Sequence, residues 1–187
     1  FALSVADFLK LPPHKQIDLG TAALLHEIGM LRIPPQVYQH DRQLTDKERQ
    51  TIVAHPVISY KILKEADFPP AVCIAVLEHH EYVNGTGYPR SLPGEKLSTA
   101  ARIMAIADIL EALTAPDRPY KKGKTLSESL RIMRFMALDR HIDADLFRLF
   151  VERGLHYGYA EGWMNPAQID DVDTAALLDG LPETRAT

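Results

Sequence analysis

One cysteine, Cys73, stands alone among 187 residues. A lone thiol excludes an internal disulfide framework and any cysteine-rich zinc site. Long apolar runs are lacking too: the longest uncharged stretch, Pro69 to Leu77, is far short of a membrane span. Phe1 to Leu11 carries Asp7 and Lys10, with neither the basic start nor the cleavage site of a secretory signal. No excess of one charge dominates, since 21 Lys and Arg face 25 Asp and Glu, a net of −4. That balance disfavours binding of polymeric nucleic acid through bulk charge. Strand-period alternation, internal repeats and low-complexity tracts are missing as well. A cytoplasmic location is expected. Because it opens on Phe, the chain reads as a piece of a longer protein.

What is present is ordinary for a folded domain: 46% apolar and 25% charged residues. The apolar pattern is helical nearly throughout, predicting an all-α single domain. Gly20–Gly29 reads as a buried helix. Thr45…Glu48 is a capping box that starts a helix to about Ala54. Pro56 opens the next, which ends before Phe68-Pro69-Pro70. Ala71–Glu81 is a further buried helix. Asn84-Gly85-Thr86-Gly87-Tyr88-Pro89 then forces an irregular loop to about Leu97. Ser98–Leu113 is a long helix with Ile103, Ile106, Ala107, Leu110 and Leu113 on one stripe. Thr125…Glu128 and Asp143 start two more helices, and Gln168–Leu178 is a short terminal one.

Three features place metal-binding groups on otherwise apolar helices: His26-Glu27, then His79-His80 between Glu78 and Glu81, then Asp108. His55 is a fourth candidate. Buried imidazole and carboxylate groups cost free energy unless paired or metal-bound. A lone helical histidine is ordinarily a hydrogen-bonded core or surface residue, which covers His14, His40, His141 and His156. Asp108 could also be a helix-pairing carboxylate with Arg102 or Arg118. Nitrogen and oxygen donors without thiolate suit iron, manganese, nickel or a non-structural zinc.

In order along the chain stand His26-Glu27-x-Gly29, His55-Pro56, His79-His80-Glu81-x-x-Asn84-Gly85-x-Gly87-Tyr88-Pro89, Asp108-x-x-Glu111-Ala112-Leu113-Thr114 and Arg118-Pro119-Tyr120-Lys121. This series resembles an HD-GYP domain of the HD metal-dependent phosphohydrolase superfamily. The gaps of 29 residues from His26 to His55 and 24 from His55 to His79 agree with that family. The resemblance implies an HD-GYP domain over residues 1–160, its first helix missing, and a C-terminal extension over 161–187. It implies two or three divalent metals, iron or manganese, in the helix core. The implied ligands are His26, Glu27, His55, His79, His80 and Asp108, with Glu27 and Asp108 serving the metal-activated water. Arg118 and Lys121 would contact substrate phosphate. The implied activity is hydrolysis of cyclic di-GMP to pGpG, GMP or both, in bacterial signalling. Gly85, Gly87, Tyr88 and Pro89 form a loop expected to be exposed and open to a GGDEF-type or other signalling partner. A sensory or receiver domain is expected upstream.

Three residues depart from the family pattern. Glu27 stands where Asp is usual, moving the carboxylate by about 1.5 Å. Met30 replaces a lysine near the metals, and Asn84 replaces an Asp in the loop. Met30 and Glu27 also leave room for a second reading, a non-catalytic module that binds metal or cyclic di-GMP and acts through protein contacts. A third, hydrolysis of another nucleotide, fits the Gly-Tyr-Pro loop less well.

Overall fold

The structure is a computed structural model that describes residues 2–40, 42–115 and 123–182. Among these there are ten α-helices, four short 3-10 turns and no strand. The helices are α1 (Ala2–Phe8), α2 (Pro13–Leu25), α3 (Asp46–Val53), α4 (His55–Glu65), α5 (Pro70–Glu78), α6 (Thr99–Thr114), α7 (Leu126–Leu138), α8 (Ala144–Glu152), α9 (Leu155–Trp163) and α10 (Thr174–Leu178). The all-α expectation holds.

Helix starts follow local chemistry. Thr45 and Thr125 each accept from the backbone N–H of a glutamate three residues on, and that glutamate reaches back to the cap. Ser98 and Asp143 cap α6 and α8 with their side-chain oxygens. Each such cap contributes about 1 kcal/mol. Helix ends differ more from the sequence reading. The helix expected to reach Gly29 stops at Leu25, and the one expected to reach Glu81 stops at Glu78. His26 and His79 are therefore C-cap residues rather than helix-interior ones.

Two apolar clusters hold the helices together. Val5, Ala6, Leu19, Ala22, Leu63, Val72, Val76 and Ile103 build the first, among α1, α2, α4, α5 and α6. Leu110, Leu126, Leu130, Met133, Phe147 and Phe150 anchor the second, among α6, α7 and α8. The 16-residue α6 spans about 24 Å and contributes to both. Met164, Leu177 and Leu181 also lie in the second cluster. The segment read as an extension is thus packed onto the same core.

α4 packs closely on the 3-10 turn Ile28–Arg32. Ser59 Oγ donates to the His26 carbonyl and accepts from the Gly29 N–H, both at 2.8 Å. A Cβ on Gly29 would sit 2.4 Å from the His55 carbonyl oxygen and 2.7 Å from the Ser59 nitrogen. Backbone occupies that space, so only glycine fits. Gly29→Ala is expected to cost about 2 kcal/mol in urea unfolding through overpacking. A change under about 0.5 kcal/mol would show that the turn and α4 can part freely.

His156 is fully buried, and its Nε2 has no hydrogen-bond partner among the described residues. Burial pushes its pKa below the ordinary 6.5. As pH falls through 6.5 the unfolded chain takes up this proton before the folded one, so stability is lost on the acid side. His156→Leu is expected to flatten the slope of unfolding free energy between pH 7 and 5, by at most about 1.4 kcal/mol per pH unit. Parallel slopes in variant and parent would exclude His156 as a source of acid lability.

Candidate metal centre

Six of the residues singled out in the sequence meet in one place. His26 and Glu27 follow the last turn of α2, His55 opens α4, His79 and His80 follow α5, and Asp108 projects from the middle of α6. His55 and His79 are buried; His26, His80 and Asp108 are half-buried. Asp108 does not pair with Arg102, whose Nη1 donates to Asp143 Oδ2 at 2.8 Å. It faces His26 Nε2 and His80 Nδ1 instead, each at 3.7 Å.

Three of the histidines are oriented by one device. The Nδ1–H of His26 donates to the Ala23 carbonyl at 2.9 Å, that of His55 to Ile52 at 2.8 Å, and that of His79 to Val76 at 2.6 Å. Each acceptor is one of the last four carbonyls of α2, α3 or α5, which have no partner within their helix. A carbonyl can only accept, so in each neutral ring Nδ1 carries the proton and Nε2 is the nitrogen open to a metal. The helix ends are capped and the ligand tautomer is set in the same bond.

Two of these Nε2 atoms converge. His55 Nε2 lies 3.2 Å from His79 Nε2 and 3.1 Å from Glu27 Oε1, and Glu27 Oε1 lies 3.8 Å from His79 Nε2. Glu27, His55, His79 and His80 can each offer one donor atom, all within 4.8 Å of one another. Two imidazole lone pairs aimed at each other repel unless a cation lies between them. Donors bound to one ion at about 2.1 Å are separated by about 3.0–3.4 Å. Two of the three edges fall in that range, so the donor set fits a divalent metal. Despite its extra methylene, Glu27 reaches both histidines, because it sits on a turn rather than inside a helix.

Electrostatics agree. Burial opposes ionisation of Glu27, but its contacts with the Nε2 atoms of His55 and His79 outweigh it and hold the carboxylate far below its usual range. Burial and the neighbouring His79 drive His80 down to about 3, so it is neutral at pH 7. For Asp108, burial is likewise outweighed by the His26 bond and by the adjacent imidazoles, and its pKa falls.

The Gly-Tyr-Pro loop is less exposed than its composition implied. Gly87 is buried, and Tyr88 and Pro89 are half-buried. A Cβ on Gly87 would lie 2.3 Å from the Tyr82 nitrogen. The Tyr88 ring rests against His80 with centroids 4.8 Å apart. Two buried carboxylates hold the loop down, a role the sequence reading did not assign. Glu81 accepts from the backbone N–H groups of Arg90 (2.6 Å) and Leu92 (3.0 Å). Glu78 pairs with the Arg90 guanidinium and accepts from the Ser98 N–H at 3.2 Å. Their position on either side of His79-His80 was the available signal. Asn84 accepts from the Thr86 N–H and donates to the Asp139 carbonyl, so it fills its place as a turn residue. Met30 lies half-buried in the turn after Glu27 and brings no charge there. Arg118 and Lys121 lie outside the described residues.

The sequence profile of the HD domain family matches residues 1–146. The chain belongs to the HD domain family. Its His-His-Glu and Gly-Tyr-Pro segments make it an HD domain of the HD-GYP type. A cyclic di-GMP phosphodiesterase of Pseudomonas aeruginosa is 36% identical over 151 residues, 80% of this chain and 36% of that protein. Cyclic di-GMP phosphodiesterase PdeB of Borreliella burgdorferi is 33% identical over 138 residues, 74% of this chain and 36% of that protein. The 3'3'-cGAMP-specific phosphodiesterase 1 of Vibrio cholerae is 33% identical over 153 residues, 82% of this chain and 35% of that protein. The chain thus spans about a third of the length of these relatives. The HD domain of the phosphodiesterase PgpH from L. monocytogenes, solved with cyclic-di-AMP, shares the fold at a TM-score of 0.64 and 18% identity, covering 88% of this chain and 87% of that one. No helix among the described residues is long and apolar enough to cross a membrane.

Removing the Glu81 carboxylate would leave the Arg90 and Leu92 amides unpaired in a partly buried setting, at roughly 1–3 kcal/mol each. Glu81→Ala is expected to lower stability by about 3 kcal/mol and to speed amide exchange across residues 87–92 while helices α7 and α8 stay protected. Unchanged exchange in that loop would remove Glu81 as its anchor.

Proposed function

We propose that this HD domain is a metal-dependent phosphodiesterase that hydrolyses cyclic di-GMP to pGpG, GMP or both. The convergence of the Glu27, His55 and His79 donor atoms carries the reading, because such a cluster of imidazoles and a carboxylate is built for a cation. Glu27, His55, His79 and His80 would hold one ion, and His26 with Asp108 a neighbouring one. Two or three ions of iron or manganese suit nitrogen and oxygen donors without thiolate. When bound, such ions activate a water and neutralise phosphate charge. The names of the relatives from Pseudomonas and Borreliella support cyclic di-GMP as the substrate.

The chain's own residues do the remaining work. The three carbonyl-bound imidazoles keep their tautomer through the cycle, so none is free to shuttle a proton through Nδ1. Asp108, between His26 and His80, is the carboxylate placed to accept a proton from the attacking water. Tyr88, seated against His80, closes one side of the cluster to bulk solvent. Arg118 and Lys121 are proposed to anchor phosphate, and the Gly85–Pro89 rim to meet a GGDEF-type or other signalling partner. A sensory or receiver domain upstream and a cytoplasmic setting complete the proposal.

Met30 favours one competing reading, a module that binds without turnover, since the position offers no cation to a phosphate. Full-length protein purified anaerobically with iron or manganese is expected to release pGpG or GMP from cyclic di-GMP. His79→Ala should lower both metal content and rate by at least about a hundredfold in rate. Met30→Lys should raise turnover. Product-free, folded and metal-loaded protein would establish the binding module instead.

A further inference from the structure

A cavity of about 250 Å³ opens beside the metal cluster, with His26 and Asp108 in its lining. The apolar side chains of Ala23, Met104 and Ala107 line it together with the exposed Glu111 and Trp163. Drug-sized ligands occupy roughly 300–1,000 Å³, so this space takes one ring system and not a whole dinucleotide. Trp163 is 79% exposed, unusual for an indole. Tyr159, one turn earlier on α9, lines the same cavity. Glu111 is three residues beyond Asp108 on α6 and shares its face. Among the described residues its carboxylate has no hydrogen bond or ion pair.

We propose that this cavity is a guanine subsite, in which Trp163 stacks on the base and Glu111 accepts from its Watson–Crick edge. This deepens, and rests on, the phosphodiesterase reading. Apolar walls with one aromatic plate accept any base, since every base has a π-face. The carboxylate supplies the choice. The Watson–Crick edge of guanine offers two adjacent N–H donors, which match two carboxylate oxygens. Adenine offers a ring-nitrogen acceptor at the corresponding place, which would face the carboxylate without a proton between them. One subsite needs one guanine. Cyclic di-GMP and 3'3'-cGAMP should therefore both enter, and cyclic di-AMP should not.

A larger hollow of about 340 Å³, near Val83, Arg102 and Asp143, carries no comparable inference, because Arg102 and Asp143 already neutralise each other.

Trp163 is the only tryptophan of the chain, so its emission reports on this cavity whether or not a diester is cleaved. Metal-loaded protein is titrated with GMP and AMP, which hold no cyclic diester. GMP is expected to quench Trp163 at a concentration at least about tenfold below that needed for AMP, and Glu111→Ala to abolish this preference. Trp163→Ala should raise the KM for cyclic di-GMP by about tenfold with kcat changed less than about threefold. Both side chains are exposed, so the variants are expected to fold as the parent does. Guanine-selective quenching without any hydrolysis keeps the subsite and removes the phosphodiesterase reading. Hydrolysis with unchanged KM in both variants and no quenching by GMP overturns the subsite and leaves that reading intact. Emission already blue-shifted and insensitive to both nucleotides would mean that protein fills the cavity, and this too overturns the subsite.

Discussion

Everything at the metal centre depends on where three helices stop. α2, α3 and α5 each end with an unpaired carbonyl that an imidazole Nδ1–H then satisfies. A helix C-terminus carries partial negative charge, and a protonated ring nitrogen is its natural complement. The bond commits Nδ1 to the helix and leaves Nε2 as the nitrogen open to a metal. Since α2, α3 and α5 end close together in space, the Nε2 atoms of His55 and His79 meet, and that of His26 faces Asp108 beside them. Structural capping and ligand orientation are thus one interaction, and neither could be lost without the other.

That arrangement accounts for the tolerance of Glu27. Inside a helix, an added methylene would swing the carboxylate away from a fixed direction. On a turn held by Ser59 and by the close approach of Gly29 to α4, the backbone can place Glu27 so that a longer side chain still reaches His55 and His79. The half-exposed carboxylate has room to choose its rotamer, whereas His55 and His79 are enclosed and have none. Substitution is absorbed at the one ligand whose surroundings are loose.

Much of this was legible in the residues. The all-α class, the capping boxes at Thr45 and Thr125, the Asp143 cap and the six-residue cluster all follow from local pattern and motif order. The histidine caps were not legible, for a specific reason. Apolar periodicity continues through Ile28 and up to Glu81, so it places the ends of α2 and α5 about three residues too late, beyond the histidines that terminate them. A residue read as helix interior cannot be recognised as a cap. Glu78 and Glu81 were hidden differently. Flanking carboxylates beside two histidines resemble further ligands, and only the loop folding back through Arg90 and Leu92 reveals them as its anchors.

The loop and the long helix complete the logic of the centre. Glu78 and Glu81 tie the Gly-Tyr-Pro segment to the end of α5, which fixes Tyr88 over His80 from one side. On the other side α6 runs between the two apolar clusters and carries Asp108 to the histidines. Packing at both ends of α6 means that Asp108 and Glu111 cannot shift along the axis independently of either cluster. A change that moved the second cluster, for instance through α9 and its Trp163, would be felt at Asp108 as a displacement of the carboxylate between His26 and His80. Ligand geometry and the rim of the neighbouring cavity are therefore coupled through a single rigid element, and selectivity at the rim comes with alignment at the metal centre.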